Sequence, residues 1–200
     1  MKTILAAVAA SAGLAATAAP AHAAYVINLR EVGSTLVATG AGSFDLTGLT
    51  FVGPGLGLPE LEPALAVISV GADGHPPVDV YKGLLGPTSF GSGGQEHPQL
   101  VSGPPVELVG FNTILDVPRG YLSGAAVGTS TSVFAGSFAS QGVTPGTYVW
   151  KWGQGDHADS LTLNIGGVPE PATWALMILG FGGAGSAMRR ARRDMKSRAV

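Results

Sequence analysis

The stretch "GQGDHADS" brings Asp156, His157 and Asp159 within four residues of one another. A hard cation such as calcium takes several carboxylate and carbonyl oxygens from a flexible loop. The spacing departs from an EF-hand loop and no closing glutamate follows. The expectation is therefore a hairpin turn held by side-chain-to-backbone bonds, with a weak cation site on Asp156 and Asp159 as the alternative. His75, Glu96 and His97 occur in "DGHPP" and "QEHPQ". Imidazoles beside a carboxylate can bind zinc or move protons, but these spacings fit no zinc signature and read as solvated loop residues. Ser89 and Ser123 lack the G-x-S-x-G elbow that exposes a hydrolase nucleophile. Gly91, Gly93 and Gly94 are not followed by the Lys-Ser/Thr that opens a phosphate-binding helix. These readings point to a protein that is not an enzyme and needs no cofactor.

A different chemistry is offered by "GTYVWKW", where Tyr148, Trp150 and Trp152 share one face of a strand and Thr147, Val149 and Lys151 the other. Exposed, the three rings would stack on sugars. Buried, they would be core, because burying one large ring is worth a few kcal/mol. Core is the expectation and a glycan-binding face the alternative. The next segment, "SLTLNI", puts Leu161, Leu163 and Ile165 on a face that could cover the rings.

The elements that must position these residues are short and apolar-alternating, separated by Gly, Pro, Asn and Asp. Strands are expected at residues 25–32, 35–41, 43–50, 64–70, 78–81, 106–111, 126–138, 147–152 and 160–165. The Pro/Gly-rich stretches "VGPGLGLPELEP" and "GPTSFGSGGQEHPQL" read as long surface loops. The fold class is all-β, a single jelly-roll-like β-sandwich. No fixed-period repeat is present, which argues against a solenoid.

Composition excludes several functions. The 200 residues contain no cysteine, which removes disulfides, thiolate nucleophiles and Cys-zinc sites together. The net charge of −2 hides a division. Residues 24–167 hold eleven acids against four bases, or −7, so a nucleic-acid groove is not expected. The remaining bases sit at the two ends.

The first end reads as a signal peptide over residues 1–23. Lys2 is followed by an alanine-rich apolar run, and Ala21-His22-Ala23 offers small residues at both positions of a cleavage site after Ala23. The other end begins with Pro169-Glu170-Pro171. Residues 172–188 then run for 17 positions without a charge, about 25 Å as a helix, slightly short of a hydrocarbon core of about 30 Å. Trp174 suits one interface, and Arg189 and Arg190 can snorkel at the other. The basic end, with residues 194–200 as its tail, is expected to stay cytoplasmic and the body outside.

Pro169-Glu170-Pro171, then Trp174-Ala175, then an apolar run with Gly180-Phe181-Gly182, then arginines, resembles the PEP-CTERM sorting signal in its PEPxxWA form over residues 168–193. The resemblance implies a Gram-negative export route: a transient inner-membrane anchor, an exosortase as partner that cuts near the PEP motif, and a product at the cell surface or in the exopolysaccharide of a biofilm. It makes Pro169, Glu170, Pro171, Trp174, Ala175, Arg189 and Arg190 recognition residues of a substrate. The body segments "YKGLLGPTSFGSGG", "VPRGYLSG" and "GVTPGTYVWKWGQGDHADSLTLNIG" resemble an uncharacterised PEPxxWA-CTERM family, with Asp156 and His157 as departures from its pattern.

Overall fold

The computed structural model describes residues 24–166. The expected leader with Ala21 and Ala23 lies outside them. So do the expected helix at 172–188 and the sorting residues Pro169, Glu170, Pro171, Trp174, Ala175, Arg189 and Arg190. Among the described residues no helix is long and apolar enough to cross a membrane.

The body is all-β and built of two six-stranded sheets. The first contains β1 (Ala24–Val32), β2 (Thr35–Gly42), β7 (Leu100–Ser102), β10 (Ser130–Ala135), β11 (Gly146–Trp152) and β12 (Asp159–Ile165), in the order β11-β12-β1-β2-β10-β7. The second contains β3 (Thr50–Leu56), β4 (Leu61–Glu62), β5 (Val67–Val70), β6 (Pro77–Lys82), β8 (Val106–Val109) and β9 (Ile114–Pro118), in the order β3-β6-β9-β8-β5-β4. Side chains of both sheets meet in one core, including Ile27, Leu36, Phe134 and Leu163 from the first and Ile68, Leu108 and Leu115 from the second.

Strict period-2 burial in β12 and β10 reflects one face turned to that core and one to solvent. By contrast, all four residues of β5 are buried, because a strap over Gly57–Glu60 covers the outer face of the second sheet. The strap is pinned by Gly57 N donating to Pro76 O (2.9 Å) and Leu58 N donating to Glu107 Oε2 (3.0 Å).

Unlike the strands of an antiparallel jelly roll, β1 and β12 run parallel, with Ala24 opposite Ser160 and Leu29 opposite Ile165. The first and last strands of the body are therefore neighbours in the middle of one sheet.

Several expected strands are redrawn. The strand expected over 43–50 is interrupted by a 3-10 turn at Leu46–Gly48, because the Asp45 side chain caps it by accepting from Thr47 N. Part of the expected loop "VGPGLGLPELEP" is instead β3, an edge strand that tolerates Pro54 and carries a bulge between Phe51 and Gly53. The expected strands 64–70 and 106–111 each overlap a four-residue hairpin turn, at residues 63–66 and 110–113. In each, a 3-10 segment ends in a left-handed residue, Ala66 (φ 53°) or Thr113 (φ 60°).

Candidate functional site

Strands β11 and β12 deliver the acidic loop to one end of the first sheet, where it meets the chain after β2. His157 Nδ1 lies 2.8 Å from Asp45 Oδ2. Asp159 is buried, and its oxygens accept from Asp45 N and Ser160 N, both at 2.6 Å. The Trp152 indole donates to Asp45 O at 2.6 Å. From a third segment, Ser123 Oγ accepts from Leu46 N (2.9 Å) and lies 3.3 Å from Asp45 Oδ1. Asp45 thus gathers three loops. Sequence reasoning did not single it out, although an aspartate ahead of "LTG" carries an N-cap signal.

Hydrogen bonding from Thr47, and next from His157, holds the Asp45 carboxyl well below the usual carboxylate range. In a nucleophilic triad the histidine stands between serine and carboxylate, so that it can take the serine proton. Here the carboxylate stands in the middle, with Ser123 on one oxygen and His157 on the other. The arrangement ties loops together.

Asp156 is exposed. Both Asp159 oxygens already accept backbone N–H groups, and among the described residues no three His, Asp or Glu side chains are grouped to hold a metal ion. His75 and Ser89 are exposed in loops. His97 Nδ1 lies 3.0 Å from Pro59 O, and Glu96 pairs through its backbone with Leu61. His75 therefore lies in one loop and Ser89 and His97 in another, and of the serines and histidines singled out only Ser123 and His157 converge.

The aromatic strand is core. Trp150 is fully buried and donates to Pro87 O at 2.8 Å, and Trp152 is 3% exposed. Tyr148, partly buried, packs against Phe90 with ring centroids 5.9 Å apart. The glycan-stacking alternative for Tyr148, Trp150 and Trp152 is corrected on this point, since sealed indoles offer no face to a sugar. Beside them lies an open groove of about 410 Å³, lined by Gly48, Leu85, Lys151, Trp152 and Gln154 among others.

A second polar cluster escaped the sequence reading. Ser69, Glu107 and Asp116 stand opposite one another across β5, β8 and β9, beneath the Gly57–Glu60 strap. Burial pushes the Glu107 carboxyl up to about 8, with nearby Asp116 and Glu60 adding to the rise and the Leu58 N–H opposing it. Burial also pushes Asp116 up to about 6, and its Oδ1 is buried without a hydrogen-bond partner among the described residues. The available signal was an acid set between apolar residues in "VELV" and "ILDVP".

Three comparisons complete this picture. Residues 167–193 match the family described as the PEP-CTERM protein-sorting motif. Neither the curated proteins nor the solved structures return a match. The matched segment starts one residue after Gly166, which donates its N–H to Leu29 O at the end of the sheet. The described body is all-β, and the chain carries directly after it a PEP-CTERM protein-sorting motif, which supports sorting through the exosortase route.

Proposed function

We propose that the body is a non-enzymatic cargo of this route, delivered to the cell surface or to an exopolysaccharide matrix such as that of a biofilm. The observation that carries the reading is the sorting motif fused directly to the last strand of a folded domain. Two features support a structural role. The converging polar groups at Asp45 are engaged in holding loops, and the body has no cysteine to serve as a thiol nucleophile. Such a cargo requires an amino-terminal leader, here residues 1–23, to reach the exporting machinery. Fractionating cells with and without the exosortase tests the proposal. Protein should appear in the matrix of the parent strain and stay with the inner membrane in the deletion strain. Equal amounts in both matrices count against it.

A second reading, a carbohydrate-binding module, draws support from the open groove. Among its lining residues Lys151 and Gln154 supply donors and Leu85 an exposed apolar surface, the mixture that polar-rimmed ligand sites use. Its test is retention of the processed protein on exopolysaccharide.

A further inference from the structure

The register of the first sheet fixes which end of the body meets the sorting machinery. Because β1 and β12 are parallel, Gly166 lies at the end occupied by the β1–β2 turn and by the start of β11. Gly146 stands opposite Ile165, and the Gly166 N–H is held by Leu29 O at 3.0 Å. The turn itself is firm: Gly33 takes φ +62°, Thr35 Oγ1 donates to Val32 O (2.9 Å), and Gly136 N donates to Ser34 O (2.9 Å). The Asp45–His157–Ser123 cluster and the Lys151–Gln154 groove lie about 20 Å away, at the opposite end of β12.

Only Gly167 and Val168 separate Gly166 from Pro169. Three residue steps reach at most about 10 Å. An enzyme that encloses the Pro169-Glu170-Pro171 segment therefore stands within one side-chain layer of the folded domain. Resting on the sorting reading above, we infer that residues 30–34 and 144–147, all exposed, form a contact surface for the exported face of the exosortase. The opposite end, with the groove, then points away from the membrane while the protein is anchored. The occupant is the exosortase because the spacer brings the domain to whatever grips the motif.

Photo-crosslinking in cells making the full chain and its exosortase tests this. A p-benzoylphenylalanine replacing Ser34, whose side chain is exposed and whose structural bond is made by its backbone, should link to the exosortase several-fold more than one replacing Gln154 at the far end. Inserting about six Gly and Ser residues between Gly167 and Val168 adds up to about 20 Å of reach. This insertion should abolish the Ser34 cross-link while cleavage continues. Equal linking from both positions, or cleavage of the chain with its natural spacer at the normal rate and no link from Ser34, overturns the contact surface. A chain left uncleaved beside a working exosortase overturns the sorting reading itself, and the inference with it.

Discussion

Leu29 and Ile165 stand opposite each other in parallel strands, so the last strand of the body completes the sheet beside the first. Closure of the domain thus waits for β12, the segment that immediately precedes the sorting motif. Leu163, fully buried in β12 opposite Ile27 and Tyr148, should be the sensitive position. Leu163→Ala is expected to cost about 2–5 kcal/mol. Thr162→Ala, on the solvent side of the same strand, should stay within about 0.5 kcal/mol. Urea unfolding of the processed protein measures both, and equal costs would contradict the assigned faces.

The Asp45 latch should be acid-sensitive. A carboxyl held below its ordinary range contributes stability that is present above its unfolded value, about 4, and is lost as pH falls through the folded value. Asp45→Ala removes the cap and should cost about 1 kcal/mol at neutral pH. The variant should then lose less than the parent on acidification below about pH 4. Because the His157 side chain is largely exposed, His157→Ala should cost under about 1 kcal/mol. Melting curves across pH separate these outcomes.

Glu107 should act with the opposite sign. Its raised value, about 8 against the ordinary 4.5, means that its contribution is full below the ordinary value and is lost as pH rises towards 8. Asp116 adds the same tendency up to about 6. Glu107→Gln keeps an oxygen for the Leu58 N–H and removes the buried charge. It should raise stability at pH 8 by on the order of 2 kcal/mol and flatten the decline between pH 5 and 8 by about that amount. A variant less stable than the parent at pH 8 would show that the charge is accommodated after all.

If the groove beside Trp152 holds glycan, Lys151→Ala and Gln154→Ala should each weaken retention on exopolysaccharide about two- to tenfold, the worth of one hydrogen bond. Thr39→Ala, on β2 and outside the groove, serves as the control and should bind as the parent does. Unchanged retention in all three would place any binding elsewhere on the body.

Alternation made β1, β2, β11 and β12 legible in the sequence, because each presents one face to the core and one to water. The same rule was less informative for β5 and β8, which the Gly57–Glu60 strap covers from outside. It was misleading at Ser43–Thr50, where one capping aspartate outweighs an apolar pattern. The loop "GQGDHADS" read correctly as a hairpin connection, but its partner Asp45 lies 112 residues away, and no local pattern records such a pairing. The C-terminal motif was the opposite case: its match covers one unbroken stretch, residues 167–193, so a local pattern records it.

The central claim is that the sorting motif is a handle removed from an already folded domain. Intact-mass spectrometry of the protein recovered from the matrix tests it most directly. The account predicts one species lacking the leader and ending near Pro169-Glu170-Pro171, with the body through Gly166 complete. A matrix protein that still carries Trp174 and the terminal arginines would contradict it.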